Sequence, residues 1–538
     1  QIMADERGLT VDVEGFERLM AETRERSRAG AAGGEHDPAA ALTTDAVASL
    51  QRLGVKETDD SAKHEPELRT IGATVRAIWN GSDFDEDATA GTARAADRIA
   101  VVLDRTSFYA QAGGQIGDAG RLVVTREART SARDAHEGGE FIVEDTRAAA
   151  GYVLHIGRVR KGEIRVGDRV ECRLDKPRRR RIMANHTATH LLNFALRDTL
   201  GEHVDQRGSL VADDRLRFDF SHPGAVTRDQ AERIERLIRE RIAQDLEVFA
   251  AGAPLGRARR IAGVRAVFGE TYPDPVRVVS IGAPVEAMLE HPDDDRWRAY
   301  SVEFCGGTHV ARTGAIAHVA MISEEPVAKG VRRVVCLTGD AAADAIEAGA
   351  ALLRRVESAS AEEGGALVAA VQALTAELDE VAAPVTDKAA AREALESLHD
   401  RVRAAQKRAQ ASGRQSAVEQ ARRLVAGAPP GDLVGEIDAG SDRSALLAAL
   451  DTVRAGRPSD AAMLLSADRD AGKVTIVASV PEDRIRAGLN AGQWVRAAAQ
   501  ACGGKGGGRP DSAQGGGTEP DKIGDAIRAA RAFAQDHA

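Results

Sequence analysis

The chain has 538 residues, 43% of them apolar, and a net charge of −10. That length exceeds one hydrophobic core and implies roughly three or four domains. The acidic balance excludes a protein that is basic overall, while leaving room for a local basic face; four scattered cysteines exclude a disulfide framework and fit a reducing compartment.

No apolar run approaches the roughly 20 residues that cross a bilayer, and no signal peptide is recognisable, so a cytoplasmic protein without a membrane partner is expected. The chain starts at Gln1 in mid-pattern and reads as the C-terminal part of a longer protein.

In chain order, residues 9–29 have helical spacing, with Val13, Phe16, Leu19 and Met20 on one face, and residues 30–45 read as a loop or linker. The period then changes to two. Strands are predicted at 73–80, 98–104, 121–124, 141–145, 152–159 and 169–174, separated by turn residues, which points to a small β-barrel. Within it, Gly113-Gly114-Gln115 reads either as a strand-to-strand turn or as a backbone that approaches a ligand closely.

A basic run follows, with Lys176, Arg178, Arg179, Arg180 and Arg181 around Pro177. Such runs are usually solvated faces. Its position directly before the histidine stretch favours contact with a phosphate backbone.

That stretch is His186-Thr187-Ala188-Thr189-His190. Residues four apart share one helix face, so the two imidazoles can grip one ion. Cys305-Gly306-Gly307-Thr308-His309 forms a second pair at a glycine-rich bend between strand-like runs. Three imidazoles and one thiolate suit zinc, but on spacing alone an incidental arrangement stays open. Thr187 stands where the zinc-protease helix has its general base, which argues against peptide hydrolysis. Between and after these pairs, two helices and several strands complete an α+β domain over residues 176–340.

Residues 341–430 are rich in helix formers. Leu367, Val371, Leu374, Leu378 and Val381 keep a heptad spacing that resumes after Ala383-Pro384 at Leu395, Leu398, Val402 and Ala405. This is a spacer folded back on itself or a homodimer arm. Residues 431–538 read as an α/β domain, with helices at 442–454, 485–499 and 520–535 and strands at 462–465 and 474–480. Its glycine-dense stretch from Cys502 to Gly517 lacks the Walker Lys-Ser/Thr step. It reads either as a flexible linker or as exposed amides that, with Lys505 and Arg509, meet phosphates.

Together, 101–109 with Gly113-Gly114-Gln115, 185–192, 206–211, 304–309 and the glycine/lysine segment near 505 resemble the editing and C-terminal regions of the alanyl-tRNA synthetase family, in that family's order. Residues 1–30 resemble the end of its tRNA-recognition helices. The expected architecture is multidomain α+β: a helical remnant (1–60), a β-barrel (61–175), a zinc-containing editing domain (176–340), a helical or coiled-coil spacer (341–430) and a C-terminal tRNA-binding α/β domain (431–538). The module that uses ATP and Mg2+ to charge tRNA is expected to be missing.

The resemblance implies one zinc at His186, His190, Cys305 and His309, and hydrolysis of Ser-tRNA(Ala) and Gly-tRNA(Ala). A pocket shaped for alanine cannot exclude glycine and rejects serine poorly, so a second, hydrolytic site is required. Gln206 resembles the family's active-site glutamine and would position water or substrate, and Thr189 is the candidate for sensing the serine hydroxyl. Arg178, Arg179, Arg180, Arg181, Gly113, Gly114 and Gln115 would hold the acceptor stem, and Lys505 and Arg509 would lie on the tRNA-binding C-terminal domain. Two alternatives stand beside this: a non-enzymatic tRNA-binding or dimerisation fragment with a structural zinc, and, from Gly113-Gly114-Gln115, a peptidyl-tRNA hydrolase of release-factor type.

Overall fold

The computed structural model describes residues 38–65, 67–85, 87–89, 98–125, 139–266 and 271–537; the helix expected at 9–29 lies outside them. The period-two segments form strands β1 (Ile71–Trp79), β2 (Phe84–Asp85), β3 (Asp87–Thr89), β4 (Ile99–Leu103), β5 (Gly120–Val124), β6 (Glu140–Ala149), β7 (Tyr152–Lys161), β8 (Glu163–Arg165) and β9 (Arg169–Leu174). Their order is β2-β1-β4-β7-β6-β5-β9, and β1 also pairs with β9, so six strands close into a barrel. Alternation explains the closure, because inward residues such as Val75, Val101, Leu103, Leu122, Phe141 and Val170 fill the interior. Every residue of β4 is buried. Its outward Ala100 and Val102 are covered by Tyr152, Leu154 and Leu50, the last on the helix Thr44–Arg52.

The chain leaves β9 at Asp175, whose carboxylate caps the helix Lys176–Leu200 by accepting from Arg178 N at 3.0 Å. Pro177 lies in the helix's first turn, and Gly201 at φ 112° ends it. Residues 182 to 193 of this helix are all buried, as for a helix enclosed on every side. Around it lie the sheet β10 (Gln206–Val211), β11 (Leu216–Ser221), β16 (Val331–Thr338), β15 (Val319–Ala328) and a second sheet, β12 (Val248–Ala253), β13 (Val276–Ile281), β14 (Ser301–Phe304), with the helix Arg228–Ala243 alongside. Leu191, Leu192, Leu196, Phe218, Phe220, Ile234, Ile238 and Val334 form the shared core. The register Val278↔Phe304 delivers the chain directly to Cys305.

Helices Gly339–Ala359, Gly364–Glu380 and Val385–Gly427 follow. The heptad residues Leu367, Val371, Leu374, Leu378, Leu395 and Leu398 are buried by the chain itself, whereas Ala405 is exposed. The compact units cut across these helices: one comprises Gln1–Glu357 with Leu374–Glu393, the other Ser358–Ala373 with Ala394–Ala538.

The second unit contains a mixed sheet ordered β17 (Leu433–Glu436), β18 (Ala462–Asp468), β19 (Lys473–Ser479), β21 (Ser512–Gly517), β20 (Lys505–Gly508). Only β17–β18 is parallel among these pairs. Helices Arg443–Gly456, Ala491–Ala501 and Ile523–Gln535 pack with it. Two expectations are corrected here. The helix predicted at 485–499 is two helices, parted before Asn490, whose side chain caps the second. The glycine-dense stretch is neither a linker nor an open loop, because Lys505–Gly508 and Ser512–Gly517 pair as strands. A Cβ on Gly506 or Gly515 would lie 2.6 Å from Val495 Cγ1, so the helix sits against the bare backbone.

A candidate metal centre between barrel and helix

The two ligand pairs meet. Suitable donor atoms of His186, His190, Cys305 and His309 all lie within 4.8 Å of one another. Cys305 Sγ is 3.3 Å from His186 Nε2 and 3.4 Å from His309 Nε2. The helix supplies two of these donors on one face, and the turn after β14 supplies the others. Glycine is required in that turn: a Cβ on Gly307 would sit 2.0 Å from His186 Cε1.

Burial, the largest influence, holds His186 and His309 well below the usual imidazole range and His190 at about 3; the nearby Arg277 guanidinium pushes the same way. All three rings are therefore neutral at physiological pH, the state in which imidazole ligates. Arg277 is tied to the bend by donating to Cys305 O at 2.8 Å and Gly307 O at 3.0 Å.

The His309 and His186 rings each have a further partner at Nδ1. His309 Nδ1 is 3.1 Å from Thr187 Oγ1, which itself donates to Met183 O. His186 Nδ1 is 2.7 Å from Gln115 Oε1. His190 Nε2 is 3.6 Å from Glu303 Oε2, while its buried Nδ1 has no hydrogen-bond partner. Neutral rings, a thiol and an unpartnered buried nitrogen suit a borderline-soft cation held by three nitrogens and one sulfur. Glu303 accepts from Asn193 Nδ2 at 2.9 Å, and burial pushes its carboxyl up to about 7.

Gln206 opens β10, where its Nε2 donates to Ser209 Oγ at 3.1 Å. Ser209 in turn abuts Gly114, where a Cβ would lie 2.4 Å from Ser209 Oγ, so this glycine is needed both for its φ of 83° and for space. Gln206 is thus hydrogen-bonded to Ser209, which packs against Gly114, the chain neighbour of Gln115. Thr189 is 6% exposed and donates to Asn185 O at 2.8 Å, which leaves its oxygen able to accept.

The phosphate-contact candidates separate. Arg180 and Arg181 are exposed, with Arg181 3.3 Å from Asp213. Arg178 donates to Gly117 O at 2.8 Å. Arg179 is corrected: it is 1% exposed and donates to Asp118, Ser107 O and Lys63 O, so it faces the interior. Gln115 is corrected likewise, since it is 0% exposed and turned to His186, while Gly113 stays exposed. Lys505 and Arg509 are exposed at the ends of β20, with Arg509 3.3 Å from Asp511.

Sequence reasoning missed the supporting roles of Thr187, Gln115, Glu303 and Asp118. Gln115 lies 71 residues before its histidine, and no local spacing signals such a pair.

Residues 1–178 match the family model described as tRNA synthetases class II (A), residues 276–335 the threonyl and alanyl tRNA synthetase second additional domain, and residues 432–536 the DHHA1 domain. The first match falls on the stretch read as helical remnant and barrel. The chain is 38% identical over 543 residues to a cytoplasmic alanine--tRNA ligase of Dictyostelium discoideum, covering 99% of this chain and 55% of that protein. It is 38% identical over 558 residues to the cytoplasmic alanine--tRNA ligase of Bombyx mori, covering 99% and 56%. A solved C-Ala domain from Aquifex aeolicus alanyl-tRNA synthetase is 29% identical over 19% of this chain and 88% of that one, with a TM-score of 0.17. The chain spans about half the length of the curated relatives it matches. No described helix is long and apolar enough to cross a membrane.

Proposed function

Because the chain belongs to the alanyl-tRNA synthetase family, we propose that it hydrolyses Ser-tRNA(Ala) and Gly-tRNA(Ala), the editing reaction of an alanine-tRNA ligase. The observation that carries this reading is the convergence of His186, His190, Cys305 and His309 beside β10, which bears Gln206, in a chain whose residues 276–335 match the second additional domain. The tRNA partner, and the ATP-dependent alanine charging of the whole protein, are part of the same proposal.

The chemistry asked of these residues is modest. An aminoacyl ester is already activated, so placing a water beside its carbonyl supplies much of the rate. Gln206, steadied by Ser209, holds water or substrate. Thr189 keeps a free acceptor for a serine hydroxyl because its own hydrogen goes to Asn185 O. Zinc would be held by His186, His190, Cys305 and His309 and would supply Lewis acidity and order; four protein donors favour the ordering role. Arg180 and Arg181 offer cations to the acceptor stem, and Lys505 and Arg509 do so in the second unit.

The test is deacylation by the purified chain with zinc bound. Ser-tRNA(Ala) should be cleared about ten- to a hundredfold faster than Ala-tRNA(Ala), because alanine leaves the buried polar groups unpaired at about 1–3 kcal/mol. Gly-tRNA(Ala), admitted by size alone, should be cleared more slowly than the serine ester. Gln206→Ala should slow serine removal and keep the zinc. Uncatalysed loss of all three esters by zinc-loaded protein would establish the non-enzymatic, tRNA-binding alternative instead.

A further inference from the structure

Gln115 lies on the barrel, yet its side chain reaches both ligand-bearing segments. Thr308 N donates to Gln115 Oε1 at 2.9 Å. A backbone N–H can only donate, so the atom that it meets is the carbonyl oxygen of the side-chain amide. The other amide atom, Nε2, then donates to Thr308 Oγ1 at 3.0 Å. With the amide oriented in this way, Oε1 can only accept from His186 Nδ1, 2.7 Å away.

A neutral imidazole carries one hydrogen. Once it is on Nδ1, the lone pair is on Nε2, the atom 3.3 Å from Cys305 Sγ. Gln115 therefore selects the ring tautomer that ligates through Nε2. It also joins the helix carrying His186 to the turn carrying Cys305 and His309, through Thr308. The barrel loop does not depend on this side chain for its docking. Its backbone pairs with β10 through Ile116 N to Val211 O at 3.1 Å and Val211 N to Gly114 O at 2.8 Å.

We propose that Gln115 is a positioning residue of the metal centre, so that the barrel sets the affinity of ligands it does not itself supply. The proposal rests on the metal reading of the four-residue cluster. Partners that orient a ligating histidine typically change metal affinity about 10- to 100-fold when removed.

The experiment measures zinc affinity of the full chain by chelator competition, for wild type, Gln115→Met and Gln115→Glu. Methionine keeps the volume and removes the oxygen. Glutamate keeps an acceptor for both His186 Nδ1 and Thr308 N. The expected result is a 10- to 100-fold loss for methionine and an affinity within a few-fold of wild type, or tighter, for glutamate. Equal affinity of the methionine variant, or an equal loss in both variants, overturns the proposal, the latter because it marks a packing role. A second readout needs no variant: nitrogen-15 histidine spectra of the zinc-loaded wild type should show His186 protonated at Nδ1, and metal bound at Nδ1 overturns the proposal. A wild type that takes up no zinc overturns the metal reading itself and is distinguishable from both other failures.

Discussion

Arg179 and Asp118 face each other across 61 residues of chain, each 1% exposed, in an ion pair that ties the helix start to the barrel. The guanidinium also donates to Lys63 O and Ser107 O, each at 2.9 Å. Removing one partner of a buried pair strands the other charge, which costs roughly 3–5 kcal/mol. Arg179→Ala should therefore lower the urea midpoint sharply. Arg180→Ala, at an exposed position, should shift stability by less than about 0.5 kcal/mol.

The opposite ranking is expected for RNA. Arg180 and Arg181 are the exposed arginines of the basic run. Replacing both by alanine should reduce the log–log salt slope of tRNA binding by roughly two, one per lost phosphate contact. An unchanged slope would make the run a solvated face.

The barrel has a proton-linked group away from the metal. His155 is 0% exposed; its Nδ1 donates to Val101 O at 2.9 Å and its Nε2 accepts from Thr106 Oγ1 at 2.7 Å. Burial lowers its pKa to about 4 from imidazole's usual 6.5. Above pH 6.5 the ring is neutral in both the folded and unfolded states and contributes no pH dependence. As pH falls from 6.5 towards 4, the unfolded state takes up a proton that the folded state refuses, so stability falls, by on the order of 3 kcal/mol over the interval. His155→Gln should flatten the stability–pH curve in that window relative to wild type, measured by urea unfolding; parallel curves would contradict this linkage.

Gly307 has no room for a methyl group, since its Cβ would fall 2.0 Å from His186 Cε1 and 2.9 Å from Gln115 Oε1. Gly307→Ala should displace the imidazole and weaken zinc binding by at least about tenfold, with little change in far-ultraviolet circular dichroism. Cys305→Ala combined with His309→Ala should abolish binding. Full zinc content in that double variant would remove these residues from the centre.

The sequence by itself determined what depends on neighbours along the chain. The barrel strands are legible because alternation has a period of two. The pairing of His186 with His190 is legible because helix geometry places residues four apart on one face. The heptads at Leu367–Leu378 announce their buried face for the same reason. The family resemblance added the expected editing roles to this local reading.

Tertiary structure decided whatever depends on a distant partner. Within one basic run, Arg179 turns inward because Asp118 waits inside, whereas Arg180 stays in solvent. Gln115 meets His186, 71 residues away, because the backbone of its barrel loop pairs with β10. The glycine-dense segment becomes paired strands because β19 supplies the hydrogen bonds and Val495 fills the space where side chains would stand. Glycine has no side-chain period to read, so such strands leave no mark in the sequence, and their existence follows from packing alone.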